Sequence, residues 1–173
     1  MWYVIQVRTG TEEDIVRKCG ERISPAVLEK CFIPRYEERR KIQGQWQTVR
    51  KILFVGYVFL SVPSAEDIDE LFLELKKVTG LTKLLGVGED IVPLTESEVA
   101  FLSRFGGEAQ VVEMSEGVIE GSQVRILSGP LLGLEGLIKK IDRHKRKAYL
   151  EVEMFGRVQR IEVGLEIAMK SVG

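Results

Sequence analysis

The sequence contains few of the residues that catalytic and metal sites use most. Among its 173 residues there is one histidine, His144, and there are two cysteines, Cys19 and Cys31. The cysteines lack CxxC spacing, and the chain has no HExxH, P-loop or GxSxG motif. The signatures of a metal site, a phosphate-binding loop and a hydrolase nucleophile are therefore missing. We predict a protein that is not an enzyme, with no cofactor and no metal.

Long apolar runs are also missing. No segment approaches the roughly 20 apolar residues of a membrane-spanning helix, and the N-terminal MWYVIQVR does not resemble a secretory signal. We expect a cytoplasmic protein without a membrane partner, with reduced cysteines; a disulfide between them is the less favoured alternative. The formal net charge of −1 excludes a uniformly basic protein. Local basic clusters remain possible because salt screens charges beyond about 8 Å.

Two such clusters are present. The segment 124–147, VRILSGPLLGLEGLIKKIDRHKRK, predicts a strand, a glycine-punctuated turn, a second strand and a basic loop. The cations of this loop are Lys139, Lys140, Arg143, His144, Lys145, Arg146 and Lys147, and the only local acid is Asp142. The second cluster comprises Arg35, Arg39, Arg40 and Lys41. Dense cations with few local acids are typical of a nucleic-acid contact. A solvated turn or hairpin is the alternative.

Hydrophobic periodicity predicts a first region at 1–105 with an antiparallel sheet and three helices, an α+β arrangement. Trp2–Arg8 is apolar on both faces and predicts a central strand, and the apolar run Ile52–Val62 predicts another strand, bent at Gly56. Hydroxyl residues followed by acids at Thr11, Ser64 and Thr95 resemble the capping boxes of three helices.

The texture changes after residue 105. We predict a linker at 106–117 and a small SH3-like β-barrel at 118–173, built from short strands with turn signals between them. The predicted strands are Gln123–Leu127, Leu134–Asp142, Ala148–Phe155, Val158–Val163 and Ile167–Lys170.

Several segments resemble the NusG family of transcription elongation and antitermination factors, which joins an NGN domain to a KOW domain. They are WYVIQV near the start, FIPR at 32–35, KILFVGYVF at 51–59, GLTKLLG at 80–86 and SGPLLGLEGLI at 128–138. The segment 53–58 lacks the family's usual proline, and Lys77-Val78 stands where some members have an Asn-Thr pair that contacts DNA. With the basic KOW loop, these departures resemble a specialised paralogue, most similar to LoaP.

The resemblance implies a set of partners and contact residues. RNA polymerase would contact Phe54, Tyr57, Tyr3 and Leu84, for which core packing is the alternative. The basic loop would bind RNA, and the cluster at 35–41 would line a nucleic-acid rim. Phe155 aligns with a contact for ribosomal protein S10, and its alternative is also core packing. A monomer is expected.

The predicted function is processive antitermination by a specialised NusG-like factor that binds RNA polymerase and RNA, possibly a leader hairpin. One alternative is a housekeeping NusG-type elongation factor that couples polymerase to the ribosome or to Rho. Another is a ribosomal or ribosome-assembly protein with a KOW barrel. A fold-switching relative such as RfaH is disfavoured by the strand-rich segment 118–170.

Overall fold

The structure is a computed structural model that describes residues 1–79 and 92–168. Its chain forms two compact units, each built from two separate stretches. The first comprises Met1–Ile33 and Phe54–Val99, and the second comprises Pro34–Leu53 and Ala100–Gly173. The domain limits predicted above, at 1–105, 106–117 and 118–173, stay a prediction.

The first unit contains a four-stranded sheet with the strand order β2-β5-β1-β6. Its elements are β1 (Trp2–Gln6), α1 (Glu12–Arg22), β2 (Lys30–Phe32), β5 (Tyr57–Ser61), α2 (Ile68–Thr79) and β6 (Val92–Pro93), and α3 (Glu96–Gly106) begins in it. β1 pairs antiparallel with β5, with Val4 opposite Phe59, and both side chains are fully buried. The prediction of a central first strand is therefore confirmed.

The predicted capping boxes differ in outcome. At Thr95 the box is complete, because the Thr95 N–H donates to the Glu98 carboxylate at 2.9 Å and the Glu98 N–H donates back to the Thr95 hydroxyl at 3.1 Å. The Ser64 hydroxyl accepts a backbone N–H two residues later, in a 3₁₀ turn before α2. The box at Thr11 is wrong, since that hydroxyl donates to the Arg8 carbonyl and does not cap α1.

Glu12 connects the start of α1 to the turn before β5. Its carboxylate accepts the Gly10 N–H at 2.6 Å and the Gly56 N–H at 3.0 Å, while the side chain is only 2% exposed. Gly56 has a φ of +86°, a conformation that suits glycine. The run Ile52–Val62 is therefore not one strand, as predicted: a turn separates the preceding strand from β5, which begins at Tyr57.

The second unit contains two sheets, with strand orders β4-β3-β7 and β10-β11-β12-β8-β9. The strands are β3 (Arg35–Ile42), β4 (Gln45–Ile52), β7 (Val111–Val112), β8 (Ser115–Glu120), β9 (Gln123–Ser128), β10 (Ile138–Asp142), β11 (Lys147–Met154) and β12 (Arg157–Ile167). The α+β prediction is confirmed for the whole chain, which carries helices and a sheet first and a β-rich part afterwards.

Two strand predictions for this unit are wrong. The segment 106–117 contains β7 and the start of β8, although its polar composition predicted a linker. The separate strand predicted at Ile167–Lys170 is replaced by a continuous β12, whose last residues pair in parallel with β8. Residues beyond 168 lie outside the described part of the chain.

The β3–β4 hairpin packs closely against β12. A Cβ atom at Gly164 would overlap with the Glu37 carbonyl oxygen of β3 and with the Met114 side chain. At the other end of the hairpin, the Leu53 N–H donates to the Pro34 carbonyl at 2.9 Å and closes its neck. Glycine is therefore required at position 164 by the close approach of a backbone.

We predict that Glu12→Gln destabilises the protein at neutral pH by about 1–3 kcal/mol, because one buried N–H loses a charged acceptor. Burial opposes ionisation of Glu12, but its backbone donors more than offset this and hold the pKa below its usual range. The ionised group therefore stabilises the fold above the ordinary glutamate pKa of about 4.3, and this contribution is lost as the pH falls through the lower folded-state value. Thermal unfolding from pH 7 to pH 3 should show the gap between the proteins closing in acid. Exposed Glu29→Gln is the control, and an equal effect of both substitutions would contradict the prediction.

Gly164→Ala should lower the melting temperature by about 2–10 °C, because the added methyl group displaces the hairpin or Met114. Gly136→Ala is the matched control, since nothing lies within 4 Å of a Cβ at that position. Differential scanning calorimetry compares the two variants. A melting temperature for Gly164→Ala equal to that of the control would show that the close approach is not maintained in solution.

Candidate nucleic-acid interface

The first basic cluster lies on the β3–β4 hairpin. Gln43 and Gly44 both have positive φ angles and form its two-residue turn, as the polar sequence there predicted. The register places Lys41 opposite Trp46, and side chains of directly opposed residues share one face of a sheet. Of the predicted rim residues, Arg40 and Lys41 are exposed, whereas Arg35 and Arg39 are half-buried.

The second basic cluster lies on β10 and on the turn between β10 and β11. Its exposed members are Lys139, Lys140, Arg143, His144 and Lys145. The Asp142 carboxylate accepts the Lys145 N–H at 2.9 Å, and this hydrogen bond lowers the pKa of Asp142. The only local acid is therefore used to shape the turn. Lys140 also lies over the Tyr149 ring, at 5.5 Å from its centroid.

Lys147 is different, because it is buried with only 6% of its surface exposed. Its Nζ atom lies 3.1 Å from Glu38 Oε1 on β3 and 3.4 Å from Glu162 Oε2 on β12. Burial alone lowers the pKa of a lysine, but the two carboxylates more than offset this, and the pKa of Lys147 is raised. Lys147 therefore stays charged and connects the hairpin to the five-stranded sheet.

The two carboxylates have further partners. The Tyr36 hydroxyl donates to Glu162 at 2.9 Å, and burial together with this neighbouring charge raises the pKa of Tyr36. Glu38 is 5% exposed and also lies near Lys51, at 3.7 Å, and Arg40, at 4.0 Å. A buried carboxylate surrounded by cations can remain ionised, so these charges form one connected group.

Arg146 also reaches the hairpin. Its guanidinium carbon lies 3.8 Å from the centroid of the Trp46 ring, and its Nη1 atom lies 3.6 Å from Glu166 Oε1. The expectation that the loop's cations lack acidic partners is wrong for Arg146 and Lys147, because those acids lie on other strands. We call the following set the hairpin junction: Tyr36, Glu38, Trp46, Arg146, Lys147 and Glu162.

The hairpin junction brings the two basic clusters into one compact unit, although they are far apart in the sequence. The sequence interpretation missed Trp46 as a functional candidate. The signal was an aromatic residue in a hairpin rich in arginine and lysine, at a position that faces Lys41 across the strand pair.

The predicted polymerase contacts are mostly buried. Phe54, Tyr57 and Tyr3 are 2%, 6% and 5% exposed, and Phe54 packs against Phe59 with ring centroids 5.8 Å apart. Leu84 lies outside the described residues. These three aromatic side chains do not form an exposed apolar patch in the described part of the chain, and a polymerase contact through them stays a prediction.

Phe155 occupies the two-residue turn between β11 and β12 together with Gly156. Both residues have positive φ, with 57° at Phe155, and the phenyl ring is half-buried. A bulky residue rarely adopts this conformation. The proposed S10 contact at Phe155 stays a prediction.

Within residues 1–79 and 92–168, no group of three or more histidine, cysteine, aspartate or glutamate residues is arranged to hold a metal ion. No helix in these ranges has the length and apolar character needed to cross a membrane.

Comparison with known proteins assigns both parts of the chain. Residues 1–103 match the sequence profile of the family described as "Transcription termination factor nusG", and residues 120–161 match the "KOW motif". The transcription termination/antitermination protein NusG of Thermus thermophilus is 29% identical over 181 residues, covering 98% of each chain. The protein of the same name from Staphylococcus aureus is 30% identical, covering 94% of this chain and 91% of its own.

Among solved structures, one described as "Domain interaction in Thermotoga maritima NusG" covers 94% of this chain and 92% of its own, with a TM-score of 0.55 and 23% identity. This similarity supports the fold. The profile covers more than half of the chain, and the Staphylococcus aureus relative is similar over nearly all of it. The chain therefore belongs to the NusG family of transcription factors, which are not enzymes.

Proposed function

We propose that this chain is a specialised NusG-type antiterminator, similar to LoaP, that acts as a monomer on RNA polymerase and binds RNA through its second unit. The observation that carries the proposal is the union of the two basic clusters in that unit by the hairpin junction. A general role in transcription termination and antitermination follows from the family.

The RNA surface consists of the cations that the junction does not use, which are Lys139, Lys140, Arg143, His144 and Lys145, with Arg40 and Lys41 of the hairpin. In the described part of the chain, no ion pair involves Lys139, Arg143 or Lys145. Exposed lysines hold phosphates, and arginines also contact the bases of loops. Arg146 and Lys147, which neutralise acids inside the unit, contribute mainly to structure.

The first unit supplies the polymerase contact in this proposal, because NusG family proteins bind RNA polymerase. Exposed Val55, between buried Phe54 and Gly56, is the apolar side chain of that segment that a partner reaches first. A weak RNA contact that is tethered to polymerase gains from effective concentration, which is often millimolar for short tethers. RNA capture and polymerase binding then reinforce each other.

We predict that Arg143→Glu with Lys145→Glu weakens binding to a synthetic RNA hairpin and flattens the salt dependence. The slope of log affinity against log salt should fall by about 0.7–0.9 for each lost phosphate contact. Arg160→Glu is the control, since Arg160 is a highly exposed cation on β12 outside both clusters, with 86% of its side chain exposed. Equal affinities and slopes for the two variants would remove the β10–β11 turn from RNA binding.

The same variant tests the function in transcription through a terminator, on templates with and without an upstream hairpin leader. The proposed role requires read-through that depends on the leader and is lost in the variant. Read-through that does not depend on the leader supports a housekeeping elongation factor instead.

A second candidate function is coupling to the ribosome through Phe155, favoured by the positive φ of that residue. Such backbone strain clusters at functional sites, and a phenylalanine has no local reason to occupy this turn. Neighbouring Val158 is 54% exposed and extends the apolar surface.

We predict that Phe155→Asn leaves the melting temperature unchanged or raises it, because asparagine suits a turn with positive φ. If the phenyl ring contacts ribosomal protein S10, the variant should bind S10 at least tenfold more weakly in calorimetric titration. Gln159→Ala, on β12, is the control. Unchanged S10 affinity, or no binding by the parent protein, would contradict the coupling function.

A further inference from the structure

Trp46 is an unusual residue for the surface of a β-hairpin. Tryptophan is highly buried on average, yet 40% of Trp46 is exposed near the tip of the β3–β4 hairpin. The ring also contributes to the hairpin junction, through its contact with Arg146. Packing alone explains that contact but does not explain why a large aromatic surface stays open to solvent beside a basic cluster.

The Trp46 ring is held in place from two directions. The backbone of β4 fixes one end, through its pairing with β3. The Arg146 guanidinium lies 3.8 Å from the ring centroid and is itself held by Glu166 at 3.6 Å. Cation–π contacts of this kind favour arginine over a tryptophan face. An aromatic ring that is already ordered loses little conformational freedom when a ligand stacks on it.

Cations surround this ring on the same face of the hairpin. Lys41 is directly opposite Trp46, Arg39 is opposite Thr48, and Arg50 is opposite Glu37, so alternation along the strands repeats positive charge on one side. Lys41 and Arg50 are exposed. An aromatic ring bordered by cations has the chemistry of a single-stranded nucleic-acid site, where bases stack and phosphates pair with lysine and arginine.

We propose that Trp46, braced by Arg146, is a stacking site for an unpaired base of RNA, with Lys41 beside it as the phosphate contact. This inference rests on the proposed function and specifies which part of an RNA the second unit recognises. A base has a flat π-face and stacks on tryptophan whatever its identity, so the site recognises the unpaired state of the nucleotide. Phosphates outside the loop are bound by the exposed cations of the β10–β11 turn.

The chain offers a direct optical test, because Trp46 and Trp2 are its only tryptophans. Trp2→Phe leaves Trp46 as the single indole fluorophore. This protein is titrated with a fluorescently labelled oligoadenylate and with an abasic RNA of the same length. Anisotropy of the label reports binding, and tryptophan emission from unlabelled titrations reports stacking. We expect oligoadenylate to quench Trp46, and the abasic strand to bind by charge without quenching.

A substitution provides the second measurement. Trp46→Leu keeps an apolar side chain over Arg146 but removes the stacking surface. It should weaken oligoadenylate binding about 5- to 100-fold, with an unchanged salt slope and little change for the abasic strand. Arg143→Glu with Lys145→Glu is the matched contrast, because it should change the salt slope and leave the quenching at saturation intact. Circular dichroism verifies that each variant is folded.

The outcomes separate the two proposals. If oligoadenylate binds but Trp46 emission and the Trp46→Leu affinity do not change, the stacking site is overturned while RNA binding stands. If neither strand binds, the proposed function and this inference both fail. Quenching by RNA polymerase alone, without quenching by RNA, overturns the stacking site in favour of a protein contact at Trp46.

Discussion

The second unit depends on one buried charge, the Lys147 ammonium, held between Glu38 and Glu162. A buried ion is stable only when its partners are present, and removal of one partner strands the others in a low-dielectric environment at a cost of about 3–5 kcal/mol. The three charges come from β11, β3 and β12. They therefore fix which part of the hairpin meets which part of the five-stranded sheet, since a shift of one residue would turn Glu38 away from Lys147. The close contact at Gly164 follows from the same alignment.

This arrangement separates two kinds of cation that are neighbours in the sequence. Arg146 and Lys147 neutralise glutamates and pack against the hairpin, whereas Arg143 and Lys145, a few residues earlier, remain exposed. The net charge of −1 for the whole chain says little about such a surface, because the acids that balance it are partly consumed inside the unit. A NusG-type transcription factor with this division of charge presents a basic surface on a scaffold that is itself stabilised by ion pairs.

Much of this architecture could be predicted from local patterns. The central strand at Val4, the turn at Gln43-Gly44 and the capping box at Thr95 each depend on neighbours a few residues away, and the structure contains all three. The errors have a common cause, which is pairing between distant segments. β8 has a polar, glycine-containing sequence and becomes a strand through β9 and β12. The partners of Arg146 and Lys147 lie on β3 and β12, so nothing near them in sequence indicates that they are engaged. Burial of Tyr3, Tyr57 and Phe54 likewise depends on the assembled fold.

The hydrogen bond between Leu53 and Pro34 has an evolutionary consequence. It brings the two ends of the hairpin together at 2.9 Å, so the hairpin leaves and re-enters the rest of the protein at nearly one point. Strand pairs inserted at such a neck can lengthen, shorten or exchange sequence with little change in the entropy of closing the loop. A family member can therefore acquire a new recognition surface by altering this one cassette, while the segments on either side keep their contacts.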